Sequence, residues 1–199
     1  GVQYRKNVLL VERLDREAAA KKAEHEATLR EQQLAAARTK AKRAQELATT
    51  NPKAALEAAE SAIKLLTNDA TLLTLISQLL LDERKDVDAA LAAADQAIAI
   101  DAESLEALRV RARCLLVQKR GNREIEAAAK QLEKLGTPGG RAAAATLRSD
   151  QALSNDELSV AVVHLDQAVR SLPKDAALRL RMVELLIRAR RFASAEEEA

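Results

Sequence analysis

Between Leu34 and the end of the chain, apolar residues return in steps of three and four rather than alternating, which is the spacing of one helical face. Five segments share one layout: PKAALEAAESAI, VDAALAAADQAI, IEAAAKQLEKLG, LSVAVVHLDQAV and FASAEEEA. Each has an alanine three residues after its opening residue: Ala55, Ala90, Ala128, Ala161 and Ala195, at intervals of 35, 38, 33 and 34. Four residues further on lie Ala59, Ala94, Leu132, Leu165 and Ala199, and three beyond those come Ala62, Ala97, Leu135 and Ala168. A second stripe precedes each of these: Ala37/Ala41/Ala44, Leu73/Ser77/Leu80, Leu108/Ala112/Leu115, Ala145/Ser149/Ala152 and Leu178/Met182/Leu185. The pattern predicts a helix, a turn, a second helix and then the next unit.

Turn and cap residues fall between the stripes. Pro52 stands in the first turn of a predicted helix, where its missing N–H costs nothing. Ser154 and Glu157 have capping-box spacing, and Asp101, Asn122, Thr137 and Asp175 sit near other expected starts. Gly136–Gly140, GTPGG, is the strongest turn signal, and the Lys119–Glu124 stretch is expected to add residues between two helices and so lengthen the third unit.

The first 50 residues differ. They hold no Pro and no Gly after Gly1, carry 11 Lys/Arg and 7 Asp/Glu, and read as one long helix or as two with a weak joint near residue 16. Apolar residues cluster at Val8–Val11 and Leu14, thin out from Arg16 to Arg30, and resume at Leu34. We divide the chain into a charged N-terminal helix, residues 1–33, and a repeat domain, 34–199, with units at about 34–67, 68–102, 103–137, 138–174 and 175–199, the last truncated. The leading segment is expected to act as a cap, a coiled-coil element or a linker.

Composition narrows the class. Ala (43 residues) and Leu (31) dominate, with only Tyr4 and Phe192 aromatic and few Gly or Pro. Strong helix formers with so few β-branched, aromatic or turn residues give an all-α fold, an αα-superhelix of about five units behind a long helix. The net charge of +2 implies no strong electrostatic partner. With almost no aromatics there is no base-stacking platform, so nucleic acid is not expected. No run of about 20 apolar residues exists, and no signal peptide is expected within this stretch. A soluble cytoplasmic or periplasmic protein is expected, with membrane attachment only through an anchor outside this stretch.

The 34-residue helix–turn–helix period resembles the tetratricopeptide repeat family. Asp86, Val87, Ala90, Ala97, Ile100, Asp101 and Ala102 match the family's second helix and exit, Phe192 and Ala195 match its aromatic and alanine, and Pro173 its exit proline. The resemblance covers Leu34 to Ala199. The Trp, Gly and Tyr usual in the family's first helix are here Leu or Ala, then Ser, Ala or Met, then Leu or Ala. The resemblance implies a concave groove that holds peptides or partner helices, and a bacterial source is expected for such an Ala-rich module.

Catalytic chemistry is not expected. His25 and His164 lack second ligands, Cys114 lacks a nearby His, and GTPGG lacks the Lys-Ser/Thr of a P-loop, so no enzyme activity, cofactor or metal is expected. A groove on the first helices is built from the residues that follow each stripe: Arg38, Lys42 and Gln45; Thr74, Gln78 and Leu81; Arg109, Arg113 and Leu116; Thr146, Asp150 and Leu153; Arg179, Val183 and Leu186. Five are basic and one acidic, with leucines 81, 116, 153 and 186 as an apolar row, so the expected partner is a protein or peptide of acidic-hydrophobic character. The alternative is a self-assembling module in which the N-terminal helix or the groove joins copies of the chain.

Overall fold

The structure, a computed structural model, describes residues 2–189, with side chains from Arg13 onward. The expectations placed on Phe192, Ala195 and Ala199 lie outside the described residues. Those residues form helices and turns without a strand: α1 (Val2–Leu47), α2 (Pro52–Ile63), α3 (Ala70–Leu79), α4 (Val87–Ile100), α5 (Leu105–Val117), α6 (Asn122–Lys134), α7 (Pro138–Ser154), α8 (Leu158–Ser171) and α9 (Ala176–Arg188). Among them, no helix is long and apolar enough to cross a membrane.

α1 is 46 residues long, about 69 Å at 1.5 Å per residue. Its side chains from Arg13 to Gln33 are all exposed. Ion pairs one turn apart, Arg13–Glu17 at 2.8 Å and Lys22–Glu26 at 3.9 Å, lie along this stretch. From Leu34 the helix turns a face inward. Ala37 and Ala44 are buried, Ala41 packs beside them against α2, and Lys40 donates to the Ser61 hydroxyl at 2.9 Å.

The other helices pack as sequential neighbours: α1 on α2, α3 on α4, α5 on α6 and α7 on α8. The second helices bury equivalent stripes, each starting four residues after the N-cap: Ala55/Ala59/Ala62 after Asn51, Ala90/Ala94/Ala97 after Asp86, and Ala161/Leu165/Ala168 after Glu157. On α6 the matching residues after Gly121 are Ile125, Ala129 and Leu132, all at most 1% exposed. The sequence pattern chose Ala128 instead, three residues too late. With Ile125 in its place the intervals become 35, 35 and 36, so the Lys119–Glu124 stretch does not lengthen the unit.

The small middle residues of the first helices have a structural task. Ser77 donates to the Ala90 carbonyl at 2.6 Å and Ser149 to the Ala161 carbonyl at 2.9 Å, both fully buried. A larger side chain at either place would hold the paired helices apart, and a small polar one satisfies its own hydroxyl.

The turns also repeat. α3, α5 and α7 are each followed by a non-glycine residue in the left-handed region, Lys85, Lys119 and Asp156. After α5 and α7, the N–H of Arg120 and of Glu157 returns to the Leu115 and Ala152 carbonyls at 3.0 and 2.8 Å, closing the last turn. After α3 the last turn is widened to a π turn, Leu80–Arg84, which absorbs one extra residue before Asp86 closes on Leu80.

Side chains of Asn51, Asp69, Asp86, Ser104, Thr137 and Asp175 accept from the first backbone N–H groups of their helices. Thr137 and Asp175 were expected there. The Ser154–Glu157 capping box does not form: Ser154 ends α7, with its hydroxyl donating to the Asp150 carbonyl, and Glu157 makes no side-chain cap. Ser104 caps α5 instead of Asp101, whose carboxylate accepts from the Glu103 N–H. Gly121, not Asn122, precedes α6.

The GTPGG turn sets the α6–α7 crossing. Gly136 has φ +68°, Pro138 opens α7, and a Cβ on Gly140 would lie 2.4 Å from the Leu132 carbonyl oxygen. Only a glycine lets α7 start this close to α6.

Candidate partner-binding cleft

The first helices of successive pairs touch, α3 on α5 and α5 on α7, so they share one side of the superhelix. On that side a cleft of about 410 Å³ opens between α5 and α9, with α7 between them. α7 lines it with Gly139, Ala142, Ala143, Thr146, Leu147 and Asp150. Four of these are no larger than threonine and recur every three or four residues, so the cleft runs close to the α7 backbone. α5 contributes Leu105, Arg109, Ala112, Arg113 and Leu116, and α9 contributes Ala177, Leu178 and Arg181. Leu132 of α6, Leu172 after α8 and Asp175 complete the lining.

The charges are already engaged. Arg109 pairs with Glu106 on its own helix at 3.0 Å, and Arg113 with Asp82 of the π turn at 2.7 Å. All four of these side chains are between 40 and 63% exposed, so each pair contributes little and exchanges readily. Arg181 joins Asp150, tying α9 to α7. Burial pulls the Arg181 pKa down from its ordinary value, against the opposing pull of Glu184. The Asp175 carboxylate is committed to capping α9, accepting from the Ala177 and Leu178 N–H groups at 2.9 and 3.1 Å.

The groove expected from sequence is only partly assembled here. Arg109, Arg113, Leu116, Thr146 and Asp150 line the cleft. Arg38, Lys42 and Gln45 are exposed on α1, and Gln78 on α3, away from it. Thr74 is buried, its hydroxyl donating to the Ala70 carbonyl at 2.8 Å. The apolar row is corrected: Leu81 and Leu186 are buried core residues, 5 and 3% exposed, and Leu153 packs half-buried against the α7–α8 core. Val183 packs on the same core, and Arg179 is exposed outside the cleft.

Counting one residue past each stripe assumes that every first helix turns the same flank to the groove. A cleft between α5 and α9 takes opposite flanks of its two walls, so α9 presents Leu178, which the count assigned to the packing stripe, and Arg181, which it did not name. The step from Gly139 to Ala142, Ala143 and Thr146 is the signal in the sequence that marks the floor.

Other chemistry-bearing residues lie elsewhere. Cys114 is fully buried, and burial pushes its thiol pKa up to about 11. Arg148 bridges Glu126 (2.9 Å) and Glu133 between α7 and α6, and the hydrogen bonds it donates hold both carboxyls below the usual carboxylate range. His164 Nδ1 lies 3.4 Å from the Gln167 amide oxygen, and His25 is exposed on α1. A shallower hollow of about 300 Å³ lies where α2 leaves α1, between Leu29, Leu34 and Leu65.

No family model and no curated protein matches the chain. Solved structures do. Residues 41 to the end of MamA from Desulfovibrio magneticus RS-1 align with a TM-score of 0.56 at 18% identity, over 81% of this chain and 90% of that one. PilF of Pseudomonas aeruginosa aligns at 0.61 and 17%, over 82% and 73%. A human IFIT1 dimer with m7Gppp-AAAA aligns at 0.55 and 16%, over 72% of this chain and 35% of that one. At such identities the likeness concerns the backbone arrangement, and it agrees with the paired helices described above. The chain has the fold of the tetratricopeptide-like helical repeats, an all-α superhelix.

Proposed function

We propose that the protein is a non-enzymatic scaffold that holds a segment of a partner protein in the cleft between α5 and α9. The observation that carries this reading is the cleft itself. It sits on the shared side of the first helices, has an apolar lining broken by a few convergent charges, and is large enough for several side chains. Residues 1–33 are then a stem outside the binding part, and 34–199 the repeat domain that supplies it.

A protein ligand fits better than nucleic acid. No aromatic lines the cleft, and its arginines already carry carboxylates. The capped RNA in the human IFIT1 structure belongs to that protein.

The test is a photo-crosslinking amino acid placed at Thr146 or, as control, at Lys42, in cells of the source organism. A crosslinked protein at Thr146 that is absent at Lys42 is expected. Crosslinks at Lys42 alone, or to a second copy of the chain at both positions, would replace this reading with surface capture or self-assembly.

A further inference from the structure

We infer that the exposed half of α1, residues 13–33, is a single-helix spacer: a stiff rod that needs no partner helix and presents the repeat domain at one distance and direction from its far end. The scaffold reading enters only in saying what the rod carries.

This stretch lacks the features of an interface helix. Every side chain from 13 to 33 is exposed, on all sides of the helix. Its only large apolar residues, Leu14 and Leu29, stand fifteen positions apart, so no apolar seam runs along one face for a second helix to grip. The face that packs on α2 continues outward from Ala37, in steps of seven, as Arg30, Ala23 and Arg16. A helix laid along that face would have to bury two arginines, which is costly without carboxylates to meet them.

What the stretch has instead is charge in helical register. Arg13, Glu17 and Lys21 follow one another at steps of four, and Lys22, Glu26 and Arg30 form a second such row. Arg13–Glu17 closes at 2.8 Å and Lys22–Glu26 at 3.9 Å. In the remaining steps, Glu17 to Lys21 and Glu26 to Arg30, the carboxylate precedes the cation, the more favourable order on a helix. Each step is weak alone, but rows of alternating charge support a solvated helix without tertiary contact. Alanines 18, 19, 20, 23 and 27 add the highest helix propensity of any residue.

The root supplies the rest. Starting a helix in water is the unfavourable step, whereas extending one gains a hydrogen bond for each residue fixed. Ala37, Ala41 and Ala44 are held against α2, so residues 13–33 only extend a helix that already exists. The rod is about 30 Å long at 1.5 Å per residue. A flexible chain of the same length would have a similar mean span, about 25 Å, but a wide spread. Stiffness, not reach, is what the helix adds.

The test is double electron–electron resonance on the full chain with nitroxide labels at Leu14→Cys and Ala36→Cys, both exposed positions; Cys114 is fully buried and stays unlabelled. One narrow distance of about 33 Å is expected. Glu17→Lys/Glu26→Lys turns both rows into like charges and is expected to widen the distribution at least about twofold. Glu24→Lys, outside both rows, should leave it narrow. A broad distribution in the stem with its charges intact would overturn the rod. A double variant as narrow as that stem would overturn the role of the charge rows. Protein labelled at Leu14→Cys alone should give no distance, and a peak there would mean that the stems of two copies pair, which would overturn the spacer in favour of assembly. None of these readings involves the cleft, so the crosslinking at Thr146 decides the scaffold reading separately.

Discussion

The two halves of the superhelix are written in the same helix-pair pattern but present different inner surfaces. In the first half, α1 to α4, the positions expected to face a groove are either absorbed or left as scattered polar groups. Thr74 bonds to its own helix, Leu81 enters the core from within the π turn, and Arg38 and Lys42 stand in solvent. In the second half, α5 to α9, the inner face of α7 carries Gly139, Ala142, Ala143 and Thr146 beside Leu147 and Asp150, and a cleft opens there. A repeat period therefore fixes which side of each helix is inward, while side-chain volume on that side decides whether a cleft exists.

The largest expected effect is at the crossing that starts α7. Gly140→Ala places a Cβ 2.4 Å from a backbone carbonyl that cannot move aside, and should cost about 2–3 kcal/mol in chemical denaturation. Gly121→Ala, at the N-cap of α6 and with nothing within 4 Å, should cost no more than about 1 kcal/mol. Equal effects would mean that close approach at α7 does not shape the second half.

The serine bridges come next. Ser149→Ala and Ser77→Ala each remove one buried hydrogen bond and should cost about 1 kcal/mol in both halves alike. A large difference between them would show that the halves are built differently at their cores as well as at their surfaces.

An effect no larger than that is expected from Arg148, which joins α6 to α7 through two carboxylates. Arg148→Met should cost about 1 kcal/mol near pH 7, discounted because both glutamates are about two-fifths exposed. Both carboxyls have lowered pKa values in the folded state, so their contribution is fully present above the unfolded value of about 4.3. It is lost as pH falls through the lowered values. The stabilities of wild type and variant should therefore draw together as pH falls below the unfolded value of about 4.3, and a constant gap would contradict the pairing.

The smallest stability effect belongs to the cleft wall. Arg109→Glu/Arg113→Glu should shift the unfolding midpoint by no more than the exposed pairs are worth, about 0.5 kcal/mol each, because both side chains are about half exposed. Its effect is expected in binding alone.

Much of the fold was legible before any coordinates. Steps of three and four placed the helices, and Pro52, Thr137 and Asp175 marked starts that the structure keeps. The α6 stripe was misread because Ala128, also buried, mimics the family alanine, while the residue in register is the larger Ile125. The Ser154–Glu157 spacing misled because α7 runs on through Ser154, which local spacing alone does not reveal. Counting from the stripes named Arg109, Arg113, Leu116, Thr146 and Asp150, which line the cleft. Arg181 was missed and Leu81 and Leu186 were misplaced, because burial on the inner side depends on how neighbouring helices rotate and pack.

Chemical-shift mapping of the ¹⁵N-labelled protein with the partner segment captured by crosslinking at Thr146 tests the central claim most directly. The account predicts perturbed amides on α5, α7 and α9, centred on Thr146, with α1 and α2 unmoved. Perturbations confined to α1 or to the Leu29–Leu65 hollow would contradict it.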